Sequence, residues 1–246
     1  MIDKMRVIEY DTVGSTNTEA KQYAMQTDLR DPVLFIAKEQ SAGRGRLGRS
    51  FLSRRGEGIF MSLLYFTDSA ACDAIGITTA AAVIVAQEIE EATGNPTRIK
   101  WVNDIYNSCG KVAGILTEAV SLGDATAIVV GIGINVGDVD FPDELKGIAA
   151  SIGEITPKAR DNIIYSVAKR LLCYSKNHDS AVFMDEYRSR DMLKGEYVEI
   201  FRAGESIGFG YVIGIDDSGG LEVLLDGEEK ITVIRTGEVS ARSQKR

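Results

Sequence analysis

The spacing of apolar residues divides this chain into a long α/β part and a short β-rich tail. Arg6–Thr12 alternates as a strand, and Thr16-Asn17-Thr18-Glu19 has the S/T-x-x-E form of a capping box, opening a helix to about Gln26. Val33–Lys38 is a short apolar run bounded by Asp31-Pro32 and a glycine-rich loop, so a buried strand, and Gly58–Phe66 is another. Across Asp73–Thr93 the residues Ile77, Ala80, Ala81, Ile84, Val85, Ile89 and Ala92 recur at helical spacing. They predict a long buried helix ended by Gly94-Asn95-Pro96. Strands follow at Arg98–Val102 and Lys111–Ser121, around a turn at Asn107–Gly110, and then at Ala125–Val136 through a hairpin at Leu122-Gly123-Asp124.

Arg160–Ser175 carries Ile163, Ile164, Val167, Ala168, Leu171 and Leu172, the stripe of an amphipathic helix, and a second helix covers Ser180–Asp191. After Lys194 the texture changes to short β segments between glycine-rich turns, at Tyr197–Arg202, Ser206–Ile215, Leu221–Leu225 and Glu229–Arg235. Four or five strands in so short a stretch predict a small barrel. The fold class is therefore α+β, a mixed sheet with packed helices plus a β module, with a boundary near Leu193 separating residues 1–193 from 194–246.

Composition narrows the function more than the fold. A net charge of −8 disfavours wrapping of nucleic acid. Cys72, Cys109 and Cys173 are far apart and lack C-x-x-C spacing, so they read as free thiols: Cys72 and Cys173 as core fillers, Cys109 in a turn. The N-terminus shows no secretory h-region, and the longest apolar run, Ala80–Ala86, is too short for a bilayer, so a cytoplasmic protein without membrane contact is expected. The single histidine, His178, lies beside Lys176, Asn177 and Asp179, which excludes a histidine triad or a multi-histidine metal site. No side-chain cluster for a metal is evident. The chemistry must run on Lys, Arg, Asp and backbone N–H groups.

Against that acidic background, Ser41–Arg55 holds five of the sixteen arginines and no acid. Its centre is Gly43-Arg44-Gly45-Arg46-Leu47-Gly48-Arg49. Glycines let backbone N–H groups approach a ligand, and arginine forks match carboxylate and phosphate oxygens. Four other blocks stand out. Ser15-Thr16-Asn17 sits at a helix N-terminus, suited to a polar head group. Lys100-Trp101-Val102-Asn103-Asp104 follows a strand, Lys111-Val112-Ala113-Gly114-Ile115-Leu116 opens one, and Gly131-Ile132-Gly133-Ile134-Asn135 leaves one strand face bare. Taken singly, each has a plain structural reading: helix capping for Thr16, turn chemistry for Asn103 and Asp104, a solvated Lys111, tight packing at the glycines.

In order and spacing, these blocks together with Gln40 resemble the biotin–protein ligases over Asp11–Val136. The resemblance implies a class II synthetase-like catalytic domain followed by an SH3-like barrel. It also implies two half-reactions. Biotin's carboxylate attacks the α-phosphate of Mg2+-bound ATP, giving biotinyl-5′-AMP and pyrophosphate; a lysine of a biotin carboxyl carrier domain then attacks the mixed anhydride. Carried over by motif, Ser15, Thr16, Asn17, Gln40, Gly43, Arg44, Gly45, Arg46, Lys111 and Gly114 bind biotin and the adenylate. Arg46, Arg49, Phe51, Asn103, Gly131, Gly133 and Asn135 serve ATP. Arg44, Arg46 and Lys111 neutralise charge, and Asp104 orients or deprotonates the incoming lysine. The arginine loop is expected to order over its ligand and shield the adenylate from water. Two positions depart from the family: Phe51 where a tryptophan is usual, and Val102 where a proline is usual.

The competing readings are a lipoate or octanoate ligase or transferase of the same fold, a non-catalytic biotin sensor, and an arginine–glycine nucleic-acid binder. The last lacks interleaved aromatics near the loop. The family resemblance is compatible with a homodimer. Some relatives carry an N-terminal winged-helix repressor domain, whereas ten residues precede Asp11 here, so a ligase without operator binding is expected. The purified chain should leave operator DNA unshifted at physiological salt in a mobility assay, and a specific shift would contradict this.

Overall fold

The computed structural model describes residues 5–67, 73–123, 125–177, 181–202, 204–236 and 238–241. The order is β1 (Arg6–Tyr10), α1 (Thr16–Gln26), β2 (Val33–Ala37), β3 (Gly58–Thr67), α2 (Ala74–Thr93), β4 (Arg98–Lys100), β5 (Asp104–Tyr106), β6 (Lys111–Ser121), β7 (Thr126–Asn135), α3 (Pro157–Asn177), α4 (Ala181–Ser189), β8 (Tyr197–Arg202), β9 (Glu205–Ile215), β10 (Leu221–Leu225), β11 (Ile231–Ile234) and β12 (Glu238–Ala241). Cys72, Asp124, His178 and the Ser180 start expected for the second helix lie outside the described residues. Among the described residues, no helix is long and apolar enough to cross a membrane.

Seven strands form one mixed sheet in the order β1-β2-β3-β7-β6-β5-β4, parallel only between β1 and β2. Strand alternation gives this sheet two apolar faces of unequal extent. Leu34, Ile59, Leu63, Ile128, Val130, Ile132 and Ile134 point to one face, where α2, α3 and α4 pack. α2 is buried along most of its length because it is apolar all round. Asp73 accepts from the Gly76 N–H at its start, and Gly94 takes the left-handed conformation at its end. On the opposite face Ala20 and Ala24 of α1 pack with Val33, Phe35, Leu64, Ala127 and Val129 in a second, smaller buried cluster, flanked by partly buried Ile8, Tyr10, Tyr23, Phe66, Val120 and Leu122. The remainder of that face is left to the site.

β8 to β12 form a separate antiparallel sheet in the order β11-β10-β9-β8-β12. Among the described residues its two edge strands are not paired with each other, so it is an open five-stranded sheet. β12 is a strand that the sequence pattern did not resolve, and so is β5, split from β4 by the Trp101–Asn103 turn. The Trp101–Val102 peptide in that turn is cis. Cys173, expected in the core, is exposed: the buried stripe of α3 runs through Val167, Leu171 and Tyr174, and Cys173 falls outside it. Cys109 is exposed in its turn.

The segment after α4 zips onto β4, with Ile99 N–H donating to Arg190 O (2.8 Å) and Met192 N–H to Ile99 O (3.1 Å). Asp191 is buried there and accepts from the Leu193 N–H at 2.9 Å. Burial pushes its carboxyl up, partly offset by that N–H and by Arg98. Its protonated form therefore favours the fold below the unfolded value of about 4, and this contribution is lost as pH rises through the raised folded value. Asp191→Asn removes the titration, so the variant's thermal midpoint should gain on wild type between pH 4 and pH 7 in parallel melts. A pH-independent gap would contradict the shift.

Candidate functional site

The sheet face beyond α1 is floored by residues that leave room. Register aligns Phe60 with Gly133 and Gly133 with Gly114, and beside that row Ser62 with Gly131 and Gly131 with Leu116. A Cβ at Gly131 would lie 2.0 Å from Asn17 Oδ1, and one at Gly133 would lie 2.6 Å from the Phe51 ring. The bare strand face expected from the sequence is thus filled by two side chains of the protein itself. Phe51 meets Phe60 edge-on, with ring centres 6.5 Å apart. Above this floor lies a cavity of about 640 Å³.

At one wall stands the α1 N-terminus. The N-cap is Ser15, which makes no side-chain cap hydrogen bond, so the capping-box reading of Thr16 is corrected. Thr16 is instead the first helical residue, and its N–H donates to Gln40 Oε1 at 2.8 Å, a cap supplied from 24 residues away. Gln40 Nε2 donates to Ser53 Oγ (3.0 Å), and Ser53 donates to Phe51 O (3.0 Å). On the other side, the fully buried Ser62 hydroxyl lies 2.7 Å from Thr16 Oγ1 and 2.6 Å from Asn17 Oδ1. Asn17 Nδ2 is committed as donor to Leu116 O (3.2 Å) and Glu118 Oε2 (2.9 Å), so Asn17 Oδ1 accepts the Ser62 proton. Glu118 pairs with Lys21 at 2.5 Å. This chain of hydrogen bonds holds Thr16, Asn17 and Gln40 in single orientations. Ser62, Ser53, Glu118 and Lys21 were not legible in the sequence, because each meets its partner only through strand register or helix docking.

The arginine loop forms the second wall and is internally bonded. Phe51 N–H donates to Gly43 O (2.9 Å), Gly45 N–H to Arg49 O (2.7 Å) and Arg49 N–H to Arg46 O (3.1 Å). A short 3-10 turn at Arg46–Gly48 reverses the chain, with positive φ at Leu47 (53°) and Gly48 (77°). Gly43 does not line the cavity; it permits a close approach, since a Cβ there would lie 2.4 Å from Phe51 O. Arg44, Gly45, Arg46 and Arg49 do line it. Arg54 and Arg55 do not: Arg54 donates to Asp140 O (2.9 Å), and Arg55 forks onto Asp11 at 2.8 and 2.6 Å. That fork, with Lys38, holds the Asp11 carboxyl well below its usual range. Two of the five clustered arginines therefore fasten the loop's exit.

The third wall comes from β5, β6 and the turn before them. Asn103 accepts from Arg46 Nη1 at 3.0 Å and donates to Ile115 O at 2.9 Å, so it ties the arginine loop to β6. Lys111 Nζ lies 2.7 Å from Asp104 Oδ1, a charge contact, yet no aligned hydrogen bond reaches that buried oxygen. The lysine stem passes over Gly114, whose missing Cβ would stand 3.4 Å from Lys111 Nζ. Asn135 spends its amide on Ala150 O at 2.8 Å and anchors the chain after β7. Tyr106 also lines the cavity; burial, with a smaller contribution from Asp104, pushes its phenol up to about 12, so it stays protonated. From distant parts of the chain come Phe141, Leu145 and Ile148 and, from the C-terminal sheet, Phe201 and Val239.

The electrostatic outcome is lopsided. Among the described residues, Arg44, Arg46, Arg49, Lys100 and Lys111 line the cavity against the single carboxylate of Asp104, in a chain of net charge −8. Such a site attracts an anion of nucleotide or carboxylate type. No three His, Cys, Asp or Glu side chains converge to hold a metal among the described residues.

Comparison with known proteins finds a family and several relatives. A profile described as the Biotin/lipoate A/B protein ligase family matches residues 10–135. The bifunctional ligase/repressor BirA of Bacillus subtilis is 35% identical over 95% of this chain and 73% of its own. A biotin–[acetyl-CoA-carboxylase] ligase of Paracoccus denitrificans is 31% identical over 92% of this chain and 96% of its own. Among solved structures, the biotin protein ligase of Aquifex aeolicus in complex with biotin and ATP superposes with a TM-score of 0.79 at 29% identity, covering 96% of this chain and 98% of that one.

Gly131→Ala should expel Asn17 from its place, costing about 1–3 kcal/mol of stability by overpacking. Thermal unfolding checks this, and an unchanged midpoint would show that Asn17 repacks freely.

Proposed function

We propose that this chain, which belongs to the Biotin/lipoate A/B protein ligase family, attaches biotin to a lysine of a biotin carboxyl carrier domain through biotinyl-5′-AMP. The observation that carries this reading is the convergence of Arg44, Arg46, Arg49, Lys100 and Lys111 on one cavity beside Asp104. Its volume of about 640 Å³ lies in the range of small-molecule and cofactor sites.

The polar wall of Thr16, Asn17 and Gln40 takes the head of biotin, with its carboxylate toward Arg44, Arg46 and Lys111. ATP lies toward Arg49, Phe51 and Asn103, and over the strand carrying Gly131, Gly133 and Asn135. No cluster of carboxylates among the described residues would hold Mg2+, which would therefore be carried by the nucleotide and would supply further neutralising charge. The nucleophile is already an anion, so no general base is needed for the first step. The cations overcome the repulsion between two anions and hold them in line. A carboxylate oxygen bonds to the α-phosphorus, the bond to the β-phosphate bridge breaks, and pyrophosphate leaves. Engagement of Lys111 by the ligand loosens its pairing with Asp104, whose Oδ1 lacks an aligned donor. That oxygen then accepts the proton of the carrier lysine as its nitrogen bonds to the acyl carbon and AMP departs.

Residues 1–193 constitute the catalytic domain in this reading, and residues 194–246 an SH3-like barrel that contributes Phe201 and Val239 to the cavity. The cytoplasm is the compartment this reading assigns, in keeping with the lack of C-x-x-C spacing and of a secretory h-region in the sequence.

Protein, biotin, Mg2+-ATP and a carrier domain should yield carrier heavier by one biotin, with biotin-dependent ATP–pyrophosphate exchange that lipoate and octanoate do not support. Arg46→Ala is expected to lose on the order of a hundredfold or more in labelling rate; wild-type rates in that variant would sink the loop assignment. Asp104→Asn should keep ATP–pyrophosphate exchange while slowing transfer to the carrier. Equal loss in both half-reactions would argue against its role toward the lysine.

A further inference from the structure

The turn that presents Asn103 and Asp104 is closed within the sheet by the pairing of β4 with β5 and by the bonds between Asn103 and Ile115, and its first two residues are also held from outside that sheet. Trp101 lines the cavity, and its indole N–H donates at 2.9 Å to the Gly219 carbonyl, 118 residues away in the β9–β10 turn. The next residue, Val102, has its carbonyl bonded by the Tyr187 hydroxyl of α4 at 3.1 Å, in a buried contact. Just upstream, β4 is zipped to the segment that joins α4 to the C-terminal sheet.

The acceptor at Gly219 is itself fixed. Asp216 Oδ1 accepts from the N–H groups of Ser218 and Gly220, both at 2.8 Å, while Arg235 binds its Oδ2 at 2.7 Å. Gly219 has φ of 80°, and a Cβ there would press to 2.6 Å on Ile75 of α2. The carbonyl therefore has one place to be. Tyr187 is equally constrained: its ring is buried, and burial keeps its phenol protonated, so it donates at any working pH.

We propose that Tyr187 and the Gly219 carbonyl are positioning groups for the Trp101–Asp104 turn, so that α4 and the β9–β10 turn, neither of which lines the cavity, influence the rate of the reaction carried out there. The idea rests on the ligase reading for its kinetic part only. Asn103 bonds both Arg46 and Ile115, and Asp104 faces Lys111, so a shift of the turn moves the charge-neutralising groups together. The wall of Thr16, Asn17 and Gln40 has its own hydrogen-bond chain and does not depend on the turn. Loss of the positioning bonds should therefore lower turnover more than it weakens capture of biotin, whose head is held by the wall the turn does not reach.

Trp101 is the only tryptophan in the chain, so its fluorescence reports the turn directly. Tyr187→Phe, which removes one hydroxyl, and Asp216→Ala, which releases the β9–β10 turn, would be compared with wild type at a temperature where circular dichroism shows all three folded. The expected result is an altered Trp101 emission in both variants, with kcat for carrier labelling down roughly tenfold and KM for biotin within about twofold. Wild-type emission and kcat in both variants would overturn the proposal. So would altered emission with unchanged kcat, or a loss shared equally between kcat and KM for biotin. If the wild-type protein shows no biotin-dependent exchange, the ligase reading is what fails, and the emission of the variants still decides whether these groups hold the turn.

Discussion

One face of the seven-stranded sheet carries the site because a single helix covers half of it. α1 spends Ala20, Tyr23 and Ala24 on a small cluster centred on Val33, Phe35, Leu64, Ala127 and Val129, at one end of that face. Beyond it the strands must either bury large apolar residues or leave a floor. Gly114, Gly131 and Gly133 leave the floor, and the Asn17 amide and Phe51 ring descend to it, as close as backbone permits. A methyl group at Gly131 or Gly133 would collide with these side chains, so the absence of a side chain is the constraint from which the rest of the pocket follows. The helix N-terminus, the arginine loop and the Trp101–Asn103 turn are then brought to the rim of one cavity.

Charge is distributed on the same principle of scarcity. In a chain of net charge −8, the described residues place five cationic side chains around a cavity with one carboxylate. Within the cluster of five arginines the labour divides, since Arg55 and Arg54 bind Asp11 and the Asp140 carbonyl and so fix where the loop leaves the pocket. Arg46 is steadied by Asn103, and Lys111 by Asp104. These pairings are partly exposed and contribute little to stability. In the function proposed above, they keep charges oriented before a ligand arrives and so lower the reorganisation needed at the moment of reaction.

The C-terminal sheet is joined to this arrangement through the turn at its centre. Its β9–β10 turn binds Trp101, the preceding α4 binds Val102, and Phe201 and Val239 reach the cavity itself. A sheet whose own pattern reads as a free-standing module thus shares a cavity wall with the seven-stranded sheet. Phe51, smaller than the tryptophan usual in the family, settles over Gly133 against Phe60 and fills the bare face from within.

The sequence by itself determined the order and kind of all the elements but β5 and β12, the boundaries of α2 and β6, the glycines of β7 and the basic loop. Helix caps, strand alternation and clustered charge are properties of residues near one another in the chain. It also determined the family, because five ordered blocks constrain identity more tightly than any one of them. It misread Thr16 as a cap, placed Cys173 in the core and left β12 unseen. What only the tertiary structure decided is which atoms meet. Gln40 caps a helix 24 residues away, Ser62 reaches Asn17 through strand register, and Trp101 finds a carbonyl 118 residues distant. Such contacts depend on sheet register and on how helices dock, and neither is encoded in any window of neighbouring residues.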